Sequence, residues 1–325
     1  MRTAARLRTD DIRGDFAEAV LTGLGGKPKS IPSRFFYDTR GSELFEQITE
    51  LEEYYPTRAE IALLESHAEE IAALVGPSVC LIEFGSGSSR KTDRLIEALP
   101  ALAGYVPIDI SDSALAGASA RLRTRFPRLP VTPVHGDFSG GLQLPRAARP
   151  LKKLGFFPGS TIGNFTRSEA QDFLRRCRAL LGAKSAFVVG VDLKKSTSIL
   201  LPAYNDRLGV TAAFNLNLLE RINRELGGTF EPDGFAHEAI YNDEHGRIEM
   251  HIRSLSNQSI EVLGELFDFA EGETIHTENS HKYTVEEFQE LARGAGWQPR
   301  QVWTGQAGLF SVHYLVPMVA CAASA

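Results

Sequence analysis

The segment VCLIEFGSGSSRK, residues 79–91, constrains the fold more than any other part of the chain. Its short apolar run stops at a Gly-x-Gly turn, and a polar stretch typical of a helix start follows. Such a run predicts a buried parallel strand, then a tight turn and a helix. Gly85 permits the turn, and Gly87 lets the backbone approach a ligand without an intervening side chain. The segment therefore predicts a nucleotide-like ligand at the N-terminus of that helix.

Two features of this turn distinguish between classes of ligand. Glu83 precedes the glycines, where a carboxylate would repel the pyrophosphate of a dinucleotide but not a cationic or amino-bearing ligand. Arg90 stands where the dinucleotide fingerprint has its third glycine. The sequence therefore favours S-adenosylmethionine (SAM), and it disfavours the alternative of an NAD-dependent oxidoreductase.

Apolar runs and helical patterns alternate along much of the chain, which predicts a doubly wound sheet. We expect strands at 79–84, 104–109, 131–135, 154–158 and 185–192, and helices at 58–75, 90–99, 112–125 and 167–181. Further on, a helix at 284–295 begins at a capping box of Thr284 and Glu287. Two closing strands are expected near 298–304 and 309–316.

Two regions of the chain lack this alternation of strand and helix patterns. Residues 1–58 contain no strong parallel-strand signal, and residues 196–281 combine a helical pattern at 197–226 with strands at 247–253 and 259–268. We therefore predict an α/β fold, with a Rossmann-like sheet of the class I SAM-dependent methyltransferase type formed by 59–195 plus 282–325. A second, smaller α+β substrate-binding domain is predicted from 1–58 plus the inserted 196–281.

Charge and composition disfavour several kinds of partner. The formal net charge is −6 and no block of basic residues occurs, so neither nucleic acid nor a membrane surface is expected as a partner. No apolar run approaches the ~20 residues of a membrane helix, and the N-terminus lacks the apolar segment of a secretion signal. The three cysteines, Cys80, Cys177 and Cys321, share no metal-ligand spacing, and no third partner joins Cys80 to His276 or His281. We expect a cytoplasmic, metal-free monomer.

Three segments at the carboxyl ends of successive strands form a candidate SAM site, because open α/β sheets bind ligands at that edge. The first is the glycine turn, with Lys91 placed to contact the methionine carboxylate. The second is Asp109, whose carboxylate could accept both ribose hydroxyls. The third is Asp137 with Phe138, an acid for the adenine amine beside a ring that could pack on the base. An isolated acid is usually a solvated cap, but three such segments in this order favour SAM.

The segment PGSTIGNFT, residues 158–166, follows the fourth strand on the same edge. In small-molecule methyltransferases this position faces the methyl acceptor. Gly159 and Gly163 allow close backbone approach, and Asn164 can donate to a carboxylate and accept from an ammonium. These groups suit an amino-acid substrate.

Several long motifs spread over nearly the whole chain are typical of one family. They are RFFYD (34–38), GSELF (41–45), EYYPTR (53–58) with Glu60, GSGS (85–88), GSTIGN (159–164), GVTAAFN (209–215) and TENSHK (277–282). In these motifs the chain resembles the histidine Nα-methyltransferase family of ergothioneine biosynthesis, which converts L-histidine to its Nα-trimethyl betaine.

The resemblance implies roles for the matching residues. Tyr54, Glu278 and Ser280 would hold the substrate imidazole, Asn164 and Tyr204 would hold its α-carboxylate, and Met250 would line the side-chain pocket. Tyr37 and Phe45 would lie near the α-amine. The residues that would bind SAM are Gly85, Lys91, Asp109, Asp137 and Phe138. The chemistry of the residues agrees with this assignment. Glu278 and Ser280 stand two apart on an extended segment and so share a face, where they could serve both ring nitrogens.

Methyl transfer requires the neutral amine, whose lone pair attacks the sulfonium methyl group. We expect Tyr37 or a held water to accept the amine proton, and Asn164 to orient the substrate. The rings of Tyr37, Phe45 and Phe214 suit a growing methylammonium. The alternatives are the same fold acting on tryptophan or another amino-acid amine, and a SAM-binding protein without catalysis. The identity of a methylated product separates them.

Overall fold

The computed structural model describes residues 2–87, 90–99, 101–137, 141–305 and 307–318. The α-helices in this part of the chain are α1 (Arg2–Gly25), α2 (Thr39–Glu50), α3 (Tyr55–Val75), α4 (Arg90–Ala98), α5 (Asp112–Arg125), α6 (Arg167–Leu181), α7 (Thr197–Tyr204), α8 (Val210–Leu226) and α9 (Val285–Gly294). The strands are β1 (Lys29–Ser30), β2 (Val79–Phe84), β3 (Gly104–Asp109), β4 (Val134–His135), β5 (Lys152–Phe157), β6 (Ala186–Asp192), β7 (Phe235–Asn242), β8 (Arg247–Ser254), β9 (Gln258–Val262), β10 (Glu265–Phe269), β11 (Thr274–His281), β12 (Trp297–Thr304) and β13 (Phe310–Pro317). Short 3₁₀ turns lie at Ser33–Phe36, Thr161–Asn164 and Pro232–Gly234.

The chain divides into two compact units. The large-sheet unit comprises Tyr55–Ser196 and Ser280–Ala325, and the small-sheet unit comprises Met1–Tyr54 and Thr197–Asn279.

The large-sheet unit contains a seven-stranded sheet with the strand order β12-β13-β6-β5-β2-β3-β4. Strands β2 to β6 run parallel, whereas β13 pairs antiparallel with both β6 and β12. The order reverses at β2, which lies between β3 and β5, and this reversal is the switch point where ligands bind in such sheets. The predicted Rossmann-like α/β sheet is confirmed.

Apolar layers cover both faces of this sheet. Alternate residues of each strand point to opposite faces, so Ile82 and Phe84 join one layer and Leu81 joins the other. Helices α6 and α9 contribute to the first layer, and α3, α4 and α5 contribute to the second. Because both faces are covered, the inner strands are continuous apolar runs, which is why they were recognisable in the sequence.

The small-sheet unit contains a four-stranded sheet, β1-β11-β8-β7, and a separate hairpin of β9 and β10. Helix α8 packs against α2 and against β7 and β8. A buried amide connects the helix to the sheet, since Asn215 Nδ2 donates to the His251 carbonyl at 2.9 Å and Asn215 Oδ1 accepts from Thr277 Oγ1 at 2.8 Å.

Most predicted elements of the large sheet agree with the structure within three residues. Strand β4 is shorter than expected, because within 131–135 only Val134–His135 forms a strand and Val131 makes an isolated bridge. The expected capping box at α9 is confirmed: the Glu287 amide donates to Thr284 Oγ1 at 3.1 Å, and the Thr284 amide donates to the Glu287 carboxylate at 2.8 Å.

Predictions in the small-sheet unit were less accurate. The single strand expected at 259–268 is wrong, because Leu263 and Gly264 both adopt left-handed backbone angles and turn the chain into the β9–β10 hairpin. The helical pattern at 197–226 corresponds to two helices, because α7 ends at Tyr204 and α8 begins at Val210. Helix α1 and the parallel pairing of β1 with β11 were not expected.

Cys80 and Cys177 are free thiols and are buried, while Cys321 lies outside the described residues. Among the described helices, none combines the length and apolar character that a membrane span needs.

Candidate functional site

The glycine turn lies at the end of β2, next to the reversal in strand order. Gly85 and Gly87 have φ angles of 69° and 46°, in the region where glycine is favoured. The Gly85 amide donates to the Ile108 carbonyl at 2.8 Å, which holds the turn against the end of β3. Among the described residues, leaving out its chain neighbours, none has an atom within 4 Å of the position that a Cβ on Gly87 would take. The turn is therefore fixed on one side and open at Gly87.

The structure brings Asp109 to the glycine turn. One carboxylate oxygen accepts from the Gly87 amide at 2.8 Å, and the other accepts from the Ser111 amide at 2.9 Å. Burial raises the pKa of Asp109, while these amide hydrogen bonds act in the opposite direction. A carboxylate has about four acceptor sites, so Asp109 keeps capacity for further donors.

The third predicted segment adjoins Asp109 through the backbone. The Gly136 amide donates to the Asp109 carbonyl at 3.0 Å, so Asp137 follows directly on this contact. Phe138 lies outside the described residues, as does Ser88 in the glycine turn. The structure therefore brings Asp137 near the end of β3 and leaves the expected ring contact as a prediction.

Lys91 forms a buried ion pair that the sequence did not indicate. Its Nζ lies 2.6 Å from Glu60 Oε2, and the same oxygen accepts from the Gly159 amide at 2.8 Å. Glu60 is fully buried on α3. Lys91 is therefore paired with a buried acid, and its side chain is only 18% exposed. Glu60 connects α3, the start of α4 and the segment after β5.

The segment 158–164 is packed against the end of β11. The His281 Nδ1 atom lies 3.0 Å from the Gly163 carbonyl, and a Cβ on Gly163 would lie 2.7 Å from the His281 carbonyl oxygen. The close approach expected at Gly163 is thus to the protein backbone rather than to a ligand. Asn164 ends the 3₁₀ turn of this segment and is partly exposed.

Glu83 does not occupy the position that the sequence suggested. Its carboxylate is buried and accepts from Thr92 Oγ1 at 2.6 Å and from the Tyr105 hydroxyl. Burial raises the pKa of Glu83 to about 7. The expected repulsion of a pyrophosphate by Glu83 at the turn is therefore corrected: this carboxyl supports the start of α4 from within the core.

A second buried polar network lies at the end of β6. Asp192 accepts from the Tyr55 hydroxyl at 2.9 and 2.8 Å, from Lys195, and from Lys282 at 2.7 Å. Its amide donates to Ser160 Oγ at 2.9 Å, which ties the network to the segment after β5. Burial lowers the pKa of Lys195 to about 8.

The small-sheet unit gathers the predicted aromatic residues into a ring cluster of Tyr37, Phe45, Tyr54, Tyr204 and Phe214. The Tyr37 and Phe45 centroids are 5.6 Å apart, and each lies within 6 Å of the Phe214 centroid. Tyr54 extends the cluster, at 6.4 Å from Phe45 and 6.3 Å from Tyr204. Tyr54 and Tyr204 are buried.

The remaining predicted substrate residues lie on β8 and β11. Met250 is buried on β8, and its carbonyl accepts from Thr277 Oγ1 at 3.0 Å. Glu278 and Ser280 are alternate residues of β11, as expected, and Ser280 is buried. Ser280 Oγ accepts from Lys282 Nζ at 2.8 Å.

A candidate cation cluster lies on the same two strands. Potential ligand atoms of Glu249, His251 and His276 lie within 4.8 Å of one another, and the two imidazoles stack at 4.9 Å. However, Glu249 Oε1 already accepts from Arg247 and from Asn242. The expectation of a metal-free protein stays a prediction.

Sequence reasoning missed Glu60 and the Asp192 network. Asp192 carried a usable signal, because it stands at the carboxyl end of a predicted strand, as Asp109 does. Glu60 stood in a family motif but was given no role, because its position on a helix reveals nothing about Gly159 and Lys91, which lie far away in the chain.

Comparison with known proteins identifies close relatives. A family model described as histidine-specific methyltransferase, SAM-dependent, matches residues 16–317. A histidine N-alpha-methyltransferase of Mycolicibacterium smegmatis is 40% identical over 316 residues, which is 95% of this chain and 97% of that protein. An ergothioneine biosynthesis protein 1 of Neurospora crassa is 33% identical over 285 residues, which is 85% of this chain and 32% of that protein. Among solved structures, a SAM-dependent methyltransferase from Clostridium acetobutylicum has a TM-score of 0.48 at 11% identity, covering 79% of this chain and 92% of that one.

Proposed function

This chain belongs to the family of histidine-specific, SAM-dependent methyltransferases, and from that premise we propose that it methylates the α-amino nitrogen of L-histidine. The observation that carries the proposal is the family match over residues 16–317, which includes both the glycine turn and β11. We further propose that the reaction continues to Nα-trimethylhistidine and forms the first step of ergothioneine biosynthesis.

The switch point of the large sheet supports SAM as the methyl donor. When bound, SAM supplies an electrophilic methyl group on its sulfonium. We assign its binding to Gly85, Gly87, Lys91, Asp109, Asp137 and Phe138. The space at Gly87 suits close approach of a ligand, and Asp109 retains acceptor sites for ribose hydroxyls. Lys91 has three N–H donors, so its pairing with Glu60 is compatible with a contact to the methionine carboxylate.

We assign substrate binding to Phe45, Tyr54, Gly159, Asn164, Tyr204, Met250, Glu278 and Ser280. Glu278 and Ser280 suit the two ring nitrogens, because a carboxylate accepts a hydrogen bond and a hydroxyl can donate one. The division of labour between residues 59–195 plus 282–325 for SAM and 1–58 plus 196–281 for substrate is part of the same proposal.

The chain's task in the reaction is to hold a neutral amine in line with the methyl group and to exclude water. Positioning of this kind contributes about 7–11 kcal/mol to a bimolecular reaction. We propose that Asn164 orients the substrate carboxylate and that Tyr37 accepts the amine proton, directly or through a water. The ring cluster around Tyr37 offers aromatic faces that favour a methylated ammonium.

We also propose that the protein works as a monomer in the cytoplasm. The free thiols of Cys80 and Cys177 support a reducing compartment.

The decisive experiment is mass spectrometry of the purified protein incubated with SAM and an equimolar mixture of the twenty amino acids. We expect one product, histidine carrying three additional methyl groups. Methylation of tryptophan or another amino acid instead would refute the substrate assignment and leave the methyltransferase fold unaffected.

A further inference from the structure

The buried amide of Asn215 has a determined orientation in the small-sheet unit. Asn215 has no exposed surface, and its Nδ2 lies 2.9 Å from the His251 carbonyl oxygen and 2.9 Å from His237 Nδ1. A carbonyl can only accept, so the amide nitrogen must be the atom that faces it. Asn215 Oδ1 accordingly accepts from Thr277 Oγ1 at 2.8 Å. The second N–H of the amide is then left to donate to His237 Nδ1.

The imidazole of His237 is thereby fixed in one tautomer. Its Nδ1 accepts from Asn215, so the proton of the neutral ring is on Nε2. Nε2 lies 2.8 Å from the Tyr204 carbonyl oxygen, which again can only accept. Burial lowers the pKa of His237, which favours this neutral form. Both partners of the ring therefore require the same arrangement, in which Nε2–H donates to Tyr204.

The acceptor of this hydrogen bond lies at the end of a short helix. Helix α7 has eight residues, contains Pro202 and ends at Tyr204. The carbonyl groups in the last turn of a helix have no partner within the helix. His237, on β7, supplies a partner for the carbonyl of Tyr204. The bond thus holds the backbone position from which the buried Tyr204 side chain extends.

We propose that His237, held by Asn215, is a positioning residue that places Tyr204 to bind the α-carboxylate of the substrate. The inference rests on the proposed function, which assigns Tyr204 to substrate binding. A hydrogen bond from the Tyr204 hydroxyl to a carboxylate depends steeply on distance and angle. Loss of the Nε2–H donor would let the end of α7 shift, and the hydroxyl would then meet the carboxylate less well.

The test compares two amide replacements of His237 by calorimetric titration of L-histidine in the absence of SAM. A glutamine amide reaches as far as Nε2 and can donate to the Tyr204 carbonyl, whereas an asparagine amide reaches only as far as Nδ1 and can serve Asn215 alone. His237→Asn should therefore weaken histidine binding about tenfold, and His237→Gln should weaken it less than about threefold. Both variants should bind SAM as the wild type does, because the SAM residues that we assign all lie in the large-sheet unit.

A double-mutant cycle with Tyr204→Phe shows whether His237 acts through Tyr204. Removal of the hydroxyl should itself weaken histidine binding. Adding His237→Asn to Tyr204→Phe should then weaken it by less than about twofold more, because the group that His237 places is already gone. If His237→Asn has its full effect in both backgrounds, His237 acts on something other than the Tyr204 hydroxyl, and the inference is overturned.

Two further outcomes would contradict the inference. Equal losses in His237→Asn and His237→Gln would show that the donor to Tyr204 is not what matters, and unchanged histidine binding in His237→Asn would show that Tyr204 needs no such support. If His237→Asn fails to fold, His237→Leu replaces it in the comparison, because leucine fills a similar space without a donor. Wild-type protein that does not bind histidine would instead refute the proposed function, and Tyr204→Phe with wild-type affinity would refute its assignment of Tyr204.

Discussion

Asp109 shows how one side chain can organise a binding turn. Its two carboxylate oxygens accept from the Gly87 and Ser111 amides, which belong to the turn after β2 and the start of α5. Both amides point at the acid, so a side chain with a donor in place of either oxygen would face another donor. The carboxylate is therefore required by the turn as well as by the ribose hydroxyls that we assign to it.

We predict that Asp109→Asn weakens SAM binding by about 10–100-fold, because hydrogen bonds to a charged group contribute about 1.5–3 kcal/mol. Equilibrium titration with SAM measures this effect. Asp112→Asn is a suitable control. Asp112 is the first residue of α5, only three positions from Asp109, but its side chain is largely exposed. Equal SAM affinities for the two variants would remove Asp109 from the cofactor site.

At the scale of elements, Gly190 on β6 makes room for a carboxylate from α3. A Cβ on Gly190 would lie 2.0 Å from Glu60 Oε1. The other oxygen of Glu60 receives the Gly159 amide and the Lys91 ammonium. Helix, strand and loop thus share one buried acid, and displacing it should disturb both segments that border the switch point.

Gly190→Ala should therefore lower stability by about 1–3 kcal/mol and also weaken SAM binding by about tenfold. Gly155→Ala on β5 is the matched control, because its Cβ would lie 2.6 Å from the Leu181 and Phe187 side chains in the apolar layer. Thermal unfolding should show losses in both variants, whereas SAM titration should show a loss only in Gly190→Ala. If both variants bind SAM equally well, Glu60 does not support the site.

The same elements show why sequence predicted one part of the molecule better than the other. Strands such as β2 and β6 are buried on both faces, so their apolar runs carry a strong local signal. The β9–β10 hairpin has a half-exposed pattern, and its turn depends on the left-handed backbone of Leu263 and Gly264. Leucine gives no turn signal, which explains the single strand expected there.

The residues of the candidate site also differ in how well the sequence predicted them. Asp109 was predicted because it ends a recognisable strand, and the structure brings it to the glycine turn. The pairing of Glu60 with Lys91 and of Asp192 with Tyr55 depends on how distant segments pack, which no local pattern encodes. The sequence thus predicted a functional residue at a strand end, Asp109, but not the buried ion pair of Glu60 and Lys91 beside it.

For the molecule as a whole, stability should depend on pH through a carboxyl that the core keeps protonated. Burial raises the pKa of Glu83 to about 7, whereas the ordinary value for glutamate is about 4.5. Between these values the folded protein binds a proton that the unfolded chain releases. The stabilising contribution of Glu83 is therefore complete below about pH 4.5 and is lost as the pH rises through 7. Burial lowers the pKa of another buried group, His313, to about 3. Its effect on stability is opposite, because the unfolded chain then binds the extra proton and stability rises with pH.

Comparison with Glu83→Gln isolates this effect, because His313 is present in both proteins and its contribution cancels in the difference. The amide cannot ionise, and any mismatch with Thr92 or Tyr105 adds an offset that does not change with pH. We predict that the stability of the wild type relative to Glu83→Gln falls by up to about 3 kcal/mol between pH 4.5 and 7.5. Urea unfolding followed by tryptophan fluorescence suits the measurement, since Trp297 and Trp303, the two tryptophans of the chain, lie in the same unit as Glu83. A difference that stays constant across this range would mean that the folded protein carries Glu83 ionised, and the start of α4 would then rest on a buried charge.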